Sequence, residues 1–394
     1  MRKIIFATIF PVLFFFLPSN AQQGSDTTAY LITCGSGTET YSVYGHSALR
    51  VFIRSAKSDI VYNWGVFDFD TPWFAWKFAK GKLDYLLDTD ALQSFLREYV
   101  HEKRYVLSQK INLSPDETAK LLALINENLK PENIKYRYDF FYDDCSTRIR
   151  DLIEKSLGKI LLYPPEERHS GTTFRKLVGK YQAPFPWYKL GVDLIMGSSG
   201  DREANFRERM FLPEGLKSGL SDAVISRDGK MIPLLQNPVT ILDYPVPTVK
   251  SNFLTSPAFV FTLFLVVIIL ITTFIRKKLL IKVIDITIFS VFSLLAVLMI
   301  FFNFFTDHAQ MRMNLNIIWL NPFIIVCLAG IILKKKWTGM FRILFFISLI
   351  FVVLFYLLPQ QFNASLLPLI VLLLVRSSAR SGFEWNPLSI NLLE

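Results

Sequence analysis

Cysteine and histidine are scarce in this chain, with three and four copies among 394 residues. The four histidines, at 46, 101, 169 and 308, form no paired spacing with one another or with the cysteines, so the pattern offers no metal site and calls for no cofactor. Disulfide options are equally few: Cys327 lies inside an apolar run, which leaves Cys34 and Cys145 as the candidate pair. No internal repeat or low-complexity tract is present. Acidic residues fall short of basic ones, 33 against 43, for a formal charge of +10. Such an excess can mark a nucleic-acid partner, but many of these cations sit in short loops between apolar runs, where the positive-inside rule accounts for them.

What the chain has in quantity is apolar sequence, 52% of residues and a mean hydropathy of +0.34, too much for one soluble domain. Residues 1–21 read as a signal peptide: Arg2 and Lys3, a short apolar run from Ile4 to Leu17, then Ser19-Asn20-Ala21. Residues 22–250 form an extracytoplasmic domain whose last part, rich in proline and glycine from Tyr163 onward, reads as a long irregular extension. Residues 251–380 hold five apolar runs, Ala258 to Ile275, Ile286 to Phe305, Ile317 to Leu333, Ile343 to Leu358 and Ala364 to Val375, and 381–394 form a tail. With the signal removed, the first run enters from outside. That places Arg276, Lys277, Lys278, Lys282, Lys334 to Lys336, Arg342, Arg376 and Arg380 inside, and only Arg312 in the opposite loops.

In the soluble part, Tyr30 to Cys34, Ala48 to Arg54, Ile60 to Trp64 and Tyr105 to Leu113 read as strands. Ser114-Pro115-Asp116-Glu117 opens a helix with a capping box, and a second helix runs from near Cys145 to Gly158, capped by Asp143 or Asp144. The domain is α+β and the C-terminal part all-α.

Cys145 and His46 carry the chemistry. A thiol in the first turn of a helix meets unpaired N–H groups and the macrodipole, which favour a thiolate. Its spacing to Ile149, Leu152 and Ile153 turns the sulfur toward the sheet. His46 supplies a base, although strict alternation puts it opposite the Leu49, Val51 and Ile53 face, so its reach to Cys145 requires a break in register. Asn63 is the candidate to hold the imidazole tautomer. A structural Cys145, or a Cys34–Cys145 disulfide, is the alternative. Such a pair performs acyl transfer, and the attached membrane block points to a lipid substrate. Trp73, Phe74, Trp76 and Phe78, interleaved with Lys77, Lys80 and Lys82, have the composition of a headgroup-surface segment, as does Pro186-Trp187-Tyr188-Lys189. Asp307, His308, Asn314, Asn316 and Asn321, expected between the second and third spans, form a candidate headgroup site on the same side as Cys145.

The early histidine strand and late cysteine helix resemble the circularly permuted papain-like group, NlpC-type and lecithin retinol acyltransferase-like. More specifically, Tyr44-Gly45-His46-Ser47-Ala48-Leu49-Arg50, Tyr62-Asn63-Trp64-Gly65-Val66-Phe67-Asp68-Phe69, Asp144-Cys145-Ser146-Thr147-Arg148, Thr173-Phe174-Arg175 and Phe211-Leu212-Pro213 resemble the Lnb-type lipoprotein N-acyltransferases of Bacteroidota. The likeness extends through Asp307-His308, Asn314, Asn316, Trp319 and Asn321-Pro322. It implies a multi-pass inner-membrane enzyme with its catalytic domain in the periplasm. That enzyme would move a fatty acyl chain from a phospholipid, through a thioester on Cys145, to the N-terminal amine of a diacylglyceryl-cysteine lipoprotein. The candidate substrate contacts are Tyr44, Trp64, Arg148, His308, Asn314, Asn316, Trp319 and Asn321, within the stretches that carry the resemblance, together with Trp73 and Trp76 of the aromatic segment. The family commonly has asparagine where this chain carries Asp144, and a carboxylate there opposes thiolate formation. Two other functions fit the residues: a Cys/His hydrolase of peptidoglycan peptides or phospholipid esters, and a non-enzymatic membrane module.

Overall fold

The computed structural model describes residues 26–165, 171–248, 252–275 and 277–383. The signal-peptide segment, His169, Lys250, Arg276 and the tail beyond 383 lie outside those residues.

Ten strands build two sheets: β1 (Thr27–Cys34), β2 (His46–Ile53), β3 (Ser58–Val66), β4 (Asp84–Ala91), β5 (Val106–Lys110), β6 (Lys135–Arg137), β7 (Leu161–Leu162), β8 (Val224–Arg227), β9 (Lys230–Pro233) and β10 (Val239–Leu242). The main sheet is antiparallel in the order β10-β5-β1-β2-β3-β4-β6, and β7-β8-β9 form a small second one. Helices α1 (Phe74–Ala79), α2 (Leu92–His101), α3 (Pro115–Asn128), α4 (Cys145–Leu157), α5 (Phe174–Gln182), α6 (Pro186–Ile195) and α7 (Pro213–Ser221) complete the domain.

The centre of the sheet is apolar on both faces because both are covered. Leu31, Leu49, Val51 and Trp64 pack with Leu121 and Ile125 of α3 and Ile149, Leu152 and Ile153 of α4. Ile32, Cys34, Ala48 and Val61 pack on the other face with Phe95 and Tyr99 of α2. The part of the domain expected to be an irregular extension with short helices carries α5 to α7 and also strands: β10 pairs with β5 at one edge of the main sheet. That strand is only four residues long, too brief to stand out among prolines.

The C-terminal helices are α8 (Pro257–Phe274), α9 (Lys278–Phe304), α10 (Phe323–Ile332), α11 (Thr338–Leu354) and α12 (Leu367–Arg380). Among the described residues three helical stretches are long and apolar enough to cross a bilayer: Pro257–Phe274, Lys278–Phe304 and Leu315–Ile332, the last entering α10 through a 3-10 turn. α11, at 17 residues, is a shorter apolar helix. α9 starts eight residues before the apolar run that marked it and takes Asp285 into the bundle, where burial is offset by Arg376 and Arg380.

Side-chain amides dock the domain on the bundle. Asn314 Nδ2 and Asn316 Nδ2 both donate to Leu194 O, at 2.7 and 3.0 Å. Gln360 Nε2 donates to Met196 O, and Asn363 Nδ2 to Asp193 Oδ2 at 2.9 Å. Gly197 N donates to Gln310 O, and a Cβ at Gly197 would fall 1.9 Å from Arg312 O, so only glycine fits this approach. Arg175 fixes the same turn by bonding Asp201 and the Met196 and Gly197 carbonyls, which gives the Thr173-Phe174-Arg175 motif a structural meaning.

Candidate active site

α4 begins at Cys145 because Asp144 caps it. The Asp144 carboxylate accepts from Thr147 N at 2.8 Å, while Thr147 Oγ1 accepts from Asp144 N at 2.7 Å. The helix ends at Gly158, whose φ of +58° suits glycine. Cys145 is 8% exposed and turned onto the sheet with Ile149 and Ile153. Its thiol lies near Ser146 Oγ at 3.9 Å and takes a backbone N–H from Ser47. Ser47 and Ser146 hydroxyls, 3.1 Å apart, tie β2 to α4.

Burial dominates the electrostatics. It pushes the Cys145 thiol up, against the lowering by the surrounding N–H and hydroxyl donors, so the resting group is a thiol and not the thiolate expected from its helix terminus. Burial also holds the Asp144 carboxyl well above the usual carboxylate range, with the neighbouring sulfur next in weight. His46 is pushed down, chiefly by burial and against the raising effect of Asn63. The resting pair is thus neutral thiol and neutral imidazole.

His46 is the first residue of β2 and pairs in regular register with Cys34, so the expected break in register does not occur. The imidazole lies on the face opposite Leu49 and Val51, in a cleft of about 410 Å³ with Asn63, Gly65, Glu98 and Arg104. His46 Nε2 and Asn63 Oδ1 are 2.5 Å apart. No hydrogen bond joins His46 to Cys145 among the described residues. Gly65, at a bulge where the β3–β4 register shifts, neighbours both. It lines the His46 cleft, and a Cβ there (φ +94°) would stand 3.8 Å from Cys145 Cβ, 3.8 Å from Tyr138 Cε2 and 4.0 Å from Tyr136 Oη. The Tyr136 hydroxyl is buried with no hydrogen-bond partner among the described residues, and sequence reasoning missed it. Its ring lies under the Arg148 guanidinium, 3.7 Å from the centroid, and Arg148 is held by two bonds to Asp143. A three-residue strand with one inward tyrosine leaves no readable signal.

Cys34, Cys145 and Cys327 are all free and buried, so the candidate disulfide is not formed. Cys34 faces the α2 side and bonds Tyr99, and burial pushes its thiol up to about 12.

An apolar cavity of about 240 Å³ opens between domain and bundle. Tyr44, Tyr85, Tyr138, Phe78 and His308 line it, and Tyr138 flanks Gly65 as Cys145 does. Of the sequence candidates, Tyr44 and His308 therefore meet at this cavity. Tyr44 Oη bonds Gln182 and Tyr188, and His308 Nε2 pairs with Phe78 O at 2.8 Å. Trp73 is 81% exposed, and Trp76 leans on Phe301 of α9 at 5.4 Å. Trp64 and Trp319 are wholly buried in the domain and bundle cores, out of reach of a substrate. Asn314 and Asn316 are used in docking, and Asn321 caps α10 by accepting from Phe323 N. Of the polar groups expected to bind a headgroup, Asn314, Asn316 and Asn321 are engaged within the protein, His308 lines the cavity, and Asp307 is exposed beside Lys82 at 3.9 Å.

Residues 19–178 match the family model described as Lnb N-terminal periplasmic domain, and residues 248–383 match the Lnb transmembrane domain. Together they span about three quarters of the chain. No curated protein and no solved structure matches it.

Proposed function

The chain belongs to the Lnb family, and from that premise we propose that it is a lipoprotein N-acyltransferase using Cys145 as nucleophile and His46 as base. The observation that carries this reading is the apolar cavity lined by Tyr138, whose ring flanks Gly65 as Cys145 does, and by His308, Gln310 and Met311 of the loop between α9 and α10. An acyl chain entering from a bilayer would reach the thiol without crossing water. The site's dryness favours an amine acceptor over hydrolysis.

In this reading Asn63 accepts from His46 Nε2–H and leaves Nδ1 basic. His46 takes the thiol proton past Gly65, where no side chain intervenes. The thiolate attacks the phospholipid ester carbonyl, the C–S bond forms and the ester C–O bond breaks. The lysophospholipid leaves with the proton from the imidazolium. The lipoprotein amine then attacks the thioester, gives its proton to His46, and the thiol is restored. The Cys145 backbone N–H and the unpartnered Tyr136 hydroxyl stabilise the oxyanion. We read the domain as permuted papain-like, supported by a cysteine-led helix packed on an antiparallel sheet that bears the histidine, and its home as the inner membrane with the domain in the periplasm.

Mass spectrometry of lipoprotein N-termini in cells with and without the protein tests the reaction. Acyl groups on the α-amine should vanish in its absence. Unchanged N-acylation, or released free fatty acid with no amide product from purified protein, would replace transfer with hydrolysis.

A further inference from the structure

A second cavity, of about 450 Å³, lies at the end of the bundle away from the soluble domain, where the loops before α9 and α11 meet the end of α12. Six cations line it, Lys278, Lys282, Lys334, Lys335, Lys336 and Arg380, and no carboxylate does. Among the described residues none of the five lysines has an ion pair. The positive-inside rule explains lysines at this end of a bundle, but three features exceed it.

The first is buried charge. Arg376 and Arg380 share the single carboxylate of Asp285, at 2.7 and 2.6 Å, so two guanidinium groups face one anion at a site where Asp285 and Arg376 are 0 and 1% exposed. One positive charge is left over in a medium that penalises it, and Arg380 connects it to the cavity. The second is backbone. α9 and α11 both start in the lining, neither has a side-chain cap, and neither carries an acid in its first turn. Their first N–H groups lack intrahelical acceptors. The third is the floor: Ile331 and Phe341, buried in the bundle core, and the partly exposed Trp337 give the cavity an apolar side.

We propose that this cavity binds a phosphate group, supplied by the headgroup of an anionic phospholipid in the leaflet opposite the soluble domain. A phosphate there offsets the surplus guanidinium charge, accepts from the helix N-termini and lysines, and leaves its acyl chains along the apolar floor. The site is independent of the acyl-transfer chemistry at Cys145.

The test uses the full chain in nanodiscs of phosphatidylcholine with a minor fraction of phosphatidylglycerol, with retained lipid counted by native mass spectrometry. The expected result is one retained phosphatidylglycerol. Its preference over phosphatidylcholine should fall on the order of a hundred-fold in Lys282→Gln/Lys335→Gln/Lys336→Gln, at about a factor of five per lysine. Lys120→Gln/Lys155→Gln, on the soluble domain, should leave it unchanged. Inorganic phosphate separates the sources. If millimolar phosphate raises the melting temperature of the wild type but not of the triple variant, while phosphatidylglycerol is retained no better than phosphatidylcholine, the phosphate site stands and its lipid source does not. Equal lipid retention by wild type and triple variant, with no phosphate effect on either, overturns the proposal.

Discussion

One face of the main sheet is covered by α3 and α4 and carries Cys145; the other is covered by α2 and carries His46, Asn63 and Cys34. Both faces hold a buried thiol, yet the two thiols differ in what surrounds them. Cys34 sits mid-core against Tyr99, whereas Cys145 sits at a helix terminus with the Ser47 N–H, an unpartnered tyrosine hydroxyl and an apolar cavity nearby. Strand alternation keeps a base on one face from a nucleophile on the other except where the sheet ends or a side chain is missing. Gly65 is such a place, and the proposed reaction depends on it.

The largest effect should separate the two thiols. Cys145→Ala is expected to reduce N-acylation of a synthetic diacylglyceryl lipopeptide to background, a loss of at least about 10⁴-fold, with melting temperature nearly unchanged. Cys34→Ala should retain transfer within a few-fold while lowering stability by roughly 1–2 kcal/mol, since it leaves a small gap in the α2 core. The reverse pattern would move the chemistry to the α2 face.

The passage between faces comes next. His46→Ala should cost roughly 10²–10⁴-fold in turnover, the usual range for a lost general base. Gly65→Ala should cost at least about tenfold, because its methyl would sit beside Cys145 in the passage the proposed proton transfer uses, and a side chain at φ +94° adds roughly 1–3 kcal/mol of strain. Should Gly65→Ala melt earlier yet turn over normally, the proton takes another route.

Tyr136→Phe sharpens the comparison further, because the hydroxyl has no partner among the described residues. Removing it should leave the melting temperature level or slightly higher, while kcat falls about 10²-fold and KM holds. A drop in stability without a drop in kcat would make the hydroxyl structural.

These contrasts also explain what could be read without a structure. The α4 cap, the turn of Cys145 onto the sheet and the α3 capping box follow from i, i+3 and i+4 spacings, which are local. The position of His46 on the wrong face was legible too, by counting twos along β2. Its pairing with Asn63 was inferred from neighbouring strands and is present at 2.5 Å. What stayed hidden depends on residues far apart in sequence: Tyr136 beneath Arg148, the amide bonds from Asn314 and Asn316 to Leu194, and Asp285 with Arg376. Polar residues in a membrane-edge loop look alike whether they hold lipid or hold another part of the chain. Burial, which sequence does not give, decided for the second.

The smallest expected effect concerns Asp144, which caps α4 beside the nucleophile. Its carboxyl is shifted upward by burial, with the neighbouring sulfur next in weight, so the folded protein holds that proton more tightly than the unfolded chain does. The sign of the linkage follows: the stabilising contribution is complete at low pH and is lost as pH rises through the folded value. An asparagine side chain in its place would still accept from Thr147 N while carrying no charge to bury. Asp144→Asn should therefore match the wild type in stability near pH 4 and exceed it by about 1 kcal/mol at pH 8, with Cys145 alkylated a few-fold faster by iodoacetamide at the higher pH. If the variant is instead less stable by a similar amount at every pH, the carboxylate is ionised and its attraction to the helix dipole outweighs its burial. Cys145 would then face a fixed negative charge that the exchange to asparagine should relieve even at neutral pH.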